Sequence, residues 1–354
     1  MTQRWQVVIL GGGFAGLACA RVLEREFGRE AHHRLLLVSA ENYVTFYPLL
    51  PDVVGASLEP EHVIHPLRHV LRHCQVRRAE VSHIDLTRRV VEFDDSELVD
   101  HEPVEYEQLV LAFGSGNDMH VVPGMMEHAQ FVRTLADAIE LRGHIIRKLE
   151  EANVESDSER RRKLLHFVVV GGGFSGVEVA GQMLDLLESA LKFYPDLQRE
   201  PPRVTLVHSQ EHLLPELDTD LGDRAQRSLE RRGLVVMLKT RVLSIGSESV
   251  EIGDGQRLSA MNVICTIGST PHPVLAKLEV EKVKGRVATD PLLRLPGFPN
   301  VWAVGDGAVC PDGLGGICPP TGQYATRLGQ HAGRNVIATL RGRELQPFRH
   351  KSVG

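Results

Sequence analysis

The sequence predicts an α/β fold in two parts, the second inserted in the first, and three observations carry that prediction. A β-branched apolar run that stops at three glycines and opens into a helix-compatible segment occurs twice: residues 6–16 read QVVILGGGFAG and residues 166–176 read HFVVVGGGFSG. The length, 354 residues, exceeds one average domain. Finally, a strand-like run beyond the second copy ends at Gly305 and Asp306, where a returning strand of the first part is expected.

Each element follows from its pattern. Both copies have the strand, turn, helix order of a βα unit, so parallel strands are expected. After the first copy, residues 17–27 read as a helix and 34–39 as the next strand; after the second, 177–193 read as a helix and 203–208 as a strand. Leu135, Ala138, Ile139, Leu141, Ile145, Ile146 and Leu149 have helical spacing over 134–151. The polar run 155–163 that follows is the expected boundary between the parts. Pro296, Gly297 and Pro299 precede the strand 300–304, and Pro319 and Pro320 precede a helix over 321–340. The first part therefore takes residues 1–164 and 286–354, and the inserted part residues 165–285.

Bulk composition narrows the function classes. With 42% hydrophobic and 24% charged residues the chain is ordinary for a soluble globular protein, and its 33 glycines run above the usual share. A net charge of −6 offers no broad basic field for a polyanion, which disfavours nucleic-acid binding. Locally, residues 62–89 gather Arg68, Arg72, Arg77, Arg78, Arg88 and Arg89 against Glu80 and Asp85; a solvated basic helix face is expected there rather than an anionic membrane contact. Five scattered cysteines, Cys19, Cys74, Cys265, Cys310 and Cys318, suit a reducing compartment and show no metal-ligand spacing. The N-terminus lacks the length and flanks of a signal peptide, and no apolar stretch is long enough to span a bilayer.

The glycines carry the chemistry. Gly11, Gly13 and Gly16 stand at the three positions of G-x-G-x-x-G, which serve a tight turn, close approach of backbone to pyrophosphate, and close helix-to-strand packing. Phe14 and Ala15 complete the loop, and Gly171, Gly173, Phe174, Ser175 and Gly176 repeat it. The phosphates of a dinucleotide would rest on a helix N-terminus. Two such motifs in equivalent context predict two Rossmann-like dinucleotide-binding domains. An acid for the ribose hydroxyls is expected at the tip of the second strand. The first unit has Ser39 there, with Glu41 two residues later as the candidate; the second has His208, which leaves the choice between NADH and NADPH open.

These residues, with NYVTFYPLL (42–50), YEQLVLAFG (106–114), VICTIG (263–268), WAVGDGA (302–308) and PTGQYA (320–325), resemble the pyridine-nucleotide-dependent flavoprotein oxidoreductases, and within them the type II NADH:quinone oxidoreductases. The resemblance covers nearly the whole chain. It implies that the first loop binds the pyrophosphate of FAD and that Asp306, after Gly305, holds the flavin ribityl chain. It also implies that Val81 meets the adenine through its backbone, that Ala112 and Gly114 line the cofactor, that Pro48 lies near the isoalloxazine ring, and that Gly268 belongs to the nucleotide-binding set. Glu178, read as lying in the first helical turn, matches a glutamate placed between nicotinamide and flavin. Gln323 matches the first glutamine of the quinone-site helix, whereas Arg327 replaces the second. Relatives usually continue past Gly354 with amphipathic membrane-seating helices, so the C-terminal anchor segment is expected to be missing.

The expected function is FAD-dependent transfer of a hydride from NADH to flavin and of two electrons to a quinone, by a non-proton-pumping type II NADH dehydrogenase of the respiratory chain. Glu178 and Gln323 are its catalytic candidates, and no metal is expected. The alternatives are reduction of a soluble acceptor, permitted by Arg327 and the missing anchor, and a sulfide:quinone reductase using Cys310 and Cys318. A non-catalytic flavoprotein has no positive feature in its favour, and no closely spaced cysteine pair supports disulfide reduction. The expected location is the cytoplasm, with peripheral contact to the inner face of the cell membrane and a homodimer both allowed.

Overall fold

A computed structural model describes residues 3–94, 101–253 and 255–350. By compactness the chain divides into two units: residues 1–44, 65–117 and 269–354 form the first, and residues 45–64 and 118–268 the second.

In the first unit the apolar run Gln3–Leu10 is the centre of a mainly parallel sheet. Leu35–Ser39 and then Gln75–Arg78 lie on one side of it; Val104–Leu111 and then Phe298–Ala303 lie on the other, all parallel. The run Val7–Leu10 is buried on both faces, which is why it reads as continuous β-branched and aliphatic residues rather than an alternation. Helix Phe14–Phe27 packs along helix Gly322–Leu340. That approach requires Gly329, because a Cβ there would overlap the carbonyl of Ala15.

The second unit has its own parallel sheet, ordered Ala129–Phe131, Asn262–Cys265, His166–Val170, Arg203–Val207, Val235–Met237. It also has its own apolar cores, one of them filled by Phe167, Val179, Met183 and Leu206. A three-stranded antiparallel sheet over Val242–Ile245, Ser249–Ile252 and Gln256–Ser259 completes it.

The divisions differ from those expected at 164 and 285. Helix Leu135–Val154 turns Ala138, Leu141, Ile145 and Leu149 into the core of the second unit, and strand Ala129–Phe131 joins that unit's sheet. Leu50, Val53, Val54 and Val63 belong to the same core, which draws residues 45–64 into the second unit. The polar run 155–163 is not a linker: Asp157 caps a helix, Ser158–Leu164, by accepting the Glu159 N–H at 2.8 Å. Nor is the arginine-rich stretch a helix face. It is built of short turns and strands, its arginines are exposed except the half-buried Arg77, and three of them also hold backbone: Arg68 donates to the Val76 carbonyl, Arg78 to Ala40 and Arg77 to Glu102.

Candidate functional site

The two glycine loops fold alike. Gly11 and Gly171 adopt φ of +111° and +116°, the left-handed side of the map that admits glycine with least strain. A Cβ on Gly16 would overlap the Gly11 carbonyl, and a Cβ on Gly176 the Gly171 carbonyl, so both third glycines let the helix start against the strand end. The middle glycines face the strand tip. A Cβ on Gly12 would lie 2.6 Å from Ser39 Oγ, and one on Gly172 would lie 2.6 Å from the His208 ring.

Gly13 and Gly173 differ in kind. Each is the N-cap of its helix in ordinary extended backbone, φ −73° and −77°, and neither helix has a capping side chain or an acid in its first turn. Around Gly13 an added Cβ would meet nothing within 4 Å. The fold itself therefore does not require glycine there, whereas a ligand resting on the exposed N–H groups does. Both loops fit a pyrophosphate on this test. At Gly173 the nearest group to an added Cβ is a Glu216 oxygen at 3.8 Å. Glu216 had no spacing signal in the sequence; its loop is folded back onto the glycines by the Leu214 N–H, which donates to the Gly172 carbonyl at 2.8 Å.

In the first unit several predicted residues converge on the loop. The Ala112 N–H donates to the Leu10 carbonyl at 2.8 Å, and the Ala112 carbonyl crowds Gly11. Gly305, at φ +78°, sits against Ala15. Gly114, at φ +71°, packs its backbone on Gly307, and Phe14 lies under Gly322. Asp306 follows strand Phe298–Ala303 and begins no helix, so it is not a cap. Burial pushes its carboxyl above the usual range against the opposing charge of Arg286, whose Nε donates to the Asp306 carbonyl at 2.8 Å. Val81 is buried at the start of an antiparallel strand, Val81–Asp85. Glu41 is exposed and bonds Tyr43. Gln323 is exposed as the second residue of helix Gly322–Leu340, whose N-cap Thr321 accepts the Tyr324 N–H.

In the second unit His208 ends the strand Arg203–Val207 and is 8% exposed. Its Nδ1 accepts the Gly172 N–H at 3.0 Å, and its Nε2 is shut from solvent without a hydrogen-bond partner. Burial lowers the pKa of the ring, outweighing the charge of Glu216 and the His212 backbone. Gly268, at φ +87°, accepts the Asp118 N–H at 2.8 Å, and Arg133 donates to the neighbouring Ile267 carbonyl. Pro48 is exposed in a single turn, Tyr47–Leu49, ahead of helix Leu50–Val54. Glu178 is the fifth residue of helix Phe174–Leu191, one step beyond the first turn in which it was expected. It is exposed, and partial desolvation followed by the charge of Asp52 pushes its carboxyl above the usual range. Asp52 itself accepts from Gln182 Nε2 at 2.9 Å, so Gln182, one helical turn beyond Glu178, holds the second carboxylate in place. Asp52 was not foreseen, because only tertiary packing brings residues 45–64 to this helix.

All five cysteines are free and buried. Burial pushes the Cys310 thiol up to about 12 and the Cys318 thiol up to about 11, the opposite of an activated thiolate.

Residues 5–334 match the family model described as pyridine nucleotide-disulphide oxidoreductase. The chain is 32% identical to the type II NADH:quinone oxidoreductase Ndh of Mycobacterium tuberculosis, over 99% of this chain and 77% of that protein. It is 33% identical to NdhA of the same organism, over 93% and 72%. Its fold is similar to that of NDH2 from Plasmodium falciparum solved in complex with NADH, with a TM-score of 0.84, 19% identity, and coverage of 94% of this chain and 83% of that one.

Proposed function

Because the chain belongs to the pyridine nucleotide-disulphide oxidoreductase family, and within it to the type II NADH:quinone oxidoreductases, we propose that it binds FAD and NADH and delivers two electrons to a quinone. The observation that carries this reading is the pair of glycine cradles, one in each unit, whose helices have no capping side chain and no acid in the first turn. The flavin supplies the two-electron redox chemistry, and the chain supplies alignment and charge.

In this reading the cradle at Gly11–Gly16 takes the FAD pyrophosphate, and the Asp306 carboxylate accepts a hydrogen bond from a polyol hydroxyl. The cradle at Gly171–Gly176 takes the nicotinamide dinucleotide. Reduction of a quinone to a quinol by a hydride consumes one further proton. Glu178 is the residue we assign to holding that proton, since its pKa is shifted toward neutrality and Asp52 sustains the shift. Gln323, exposed at a helix start, is assigned to the acceptor. No helix among the described residues is long and apolar enough to cross a membrane, so contact with a lipid-dissolved quinone would be made from the surface, on the inner face of the cell membrane.

The test is anaerobic. Purified protein should be yellow, NADH should bleach its flavin absorbance, and a short-chain quinone should restore it. Colourless protein that FAD does not reconstitute, or a flavin that NADH leaves oxidised, would overturn the reading.

A further inference from the structure

In a βα dinucleotide unit the side chain at the tip of the second strand faces the adenosine ribose. A carboxylate there bonds the 2′-hydroxyl and repels a 2′-phosphate, whereas a nearby arginine accommodates the phosphate. At this position the second unit has an imidazole. Its Nδ1 accepts the Gly172 N–H at 3.0 Å, so the neutral ring carries its proton on a buried Nε2. Such a ring has neither the carboxylate that repels a 2′-phosphate nor, while neutral, a charge that prefers one.

The neighbouring charges do not restore discrimination. Glu211, three residues past the tip, is ion-paired with Lys239 Nζ. That lysine stands beside the tip, because the Lys239 N–H donates to Gln210 and the Thr240 N–H to the His208 carbonyl. A 2′-phosphate would compete with Glu211 for it. Glu216 stands over Gly173, the place of the pyrophosphate, and its charge also reaches His208, where Lys239 supplies the opposite charge. Resting on the assignment of this cradle to a nicotinamide dinucleotide, we infer that the second unit is a dual-specificity site that binds NADPH about as tightly as NADH, with His208 as the residue that removes the discrimination.

The experiment uses the flavin-loaded protein and two redox-inert probes, ADP-ribose and 2′-phospho-ADP-ribose, titrated by calorimetry. The expected affinities lie within about tenfold of each other. His208→Glu should shift the ratio about 100-fold toward ADP-ribose by placing a charge against the phosphate, and His208→Gln, neutral and able to accept the Gly172 N–H, should leave it unchanged. A wild-type ratio of about 100-fold against the phosphorylated probe, or a His208→Glu ratio equal to wild type, overturns the inference while the nucleotide assignment stands. Binding of neither probe overturns both. Should His208→Glu not fold, the wild-type ratio alone decides.

Discussion

Gly13→Ala separates a glycine kept for folding from one kept for a ligand. At φ −73° and ψ −168° the backbone of Gly13 is open to any residue, and the added methyl would meet nothing within 4 Å. Stripped of cofactor, the variant should therefore be as stable as the parent, or more stable by about 0.4–1 kcal/mol, because alanine restricts the unfolded chain. Cofactor binding should behave otherwise. A methyl above the helix N-terminus displaces the pyrophosphate from its N–H donors, and losing two charge-assisted hydrogen bonds worth about 1.5 kcal/mol each weakens FAD by roughly 100-fold. Gly16→Ala is the control: its Cβ would overlap the Gly11 carbonyl, and relief of that overlap should destabilise the cofactor-free fold by about 1–3 kcal/mol. Urea unfolding of the stripped proteins and fluorescence titration with FAD measure both quantities. If Gly13→Ala bound FAD like the parent, the cradle would not be the pyrophosphate site; if it unfolded like Gly16→Ala, the glycine would be serving the fold.

The remaining predictions use single changes in the second unit. Glu178→Gln should abolish a transition in the pH profile of quinone reduction that lies above the usual carboxylate range, and Asp52→Asn should move that transition to lower pH, since the Asp52 charge raises it. The sign for stability is opposite to that of a salt-bridged acid: a carboxyl with a raised folded pKa destabilises the fold above that pKa and is neutral to it below the unfolded value, so Glu178→Gln should not lower the Tm at neutral pH. Leu141→Ala, at a fully buried position, should destabilise the second unit by about 2–5 kcal/mol in denaturant unfolding. Glu216→Gln should tighten both ADP-ribose and its 2′-phosphate, by about tenfold, in the same calorimetry that tests His208; unchanged affinity for both would place Glu216 away from the bound anion.

The parallel strands and both cradles were legible because a strand buried on both faces and a glycine triple are written in consecutive residues. The nucleotide helices begin at Phe14 and Phe174, earlier than the apolar period suggests, because the last glycine of each triple is already the N-cap. Unit membership was not legible. The apolar stripe of helix Leu135–Val154 announces a buried face but not which core receives it, and Leu50, Val53 and Val54 lie far in sequence from the core they fill. Arg68 and Arg78 are exposed, as a charged surface implies, and the sequence gives no sign that they and Arg77 also donate to backbone carbonyls. Asp52 and Glu216 were invisible for the same reason: each acquires its role from a chain segment folded back upon it.

The two cradles repeat a geometry without repeating its chemistry. In each, Gly11 or Gly171 turns the chain, Gly16 or Gly176 admits the helix, and Gly12 or Gly172 makes room for the strand-tip side chain, so the tip is part of the loop's packing. Ser39 fills that space with a small hydroxyl, and nothing stands over Gly13; His208 fills it with a ring bonded to the loop, and Glu216 stands over Gly173. An anion entering the second cradle meets a carboxylate that the first lacks, and at a partly exposed site such a charge costs binding free energy. On the proposed assignment the first cradle would hold its dinucleotide more tightly than the second. Such an asymmetry would suit a resident redox cofactor in the first loop and a diffusible electron donor in the second.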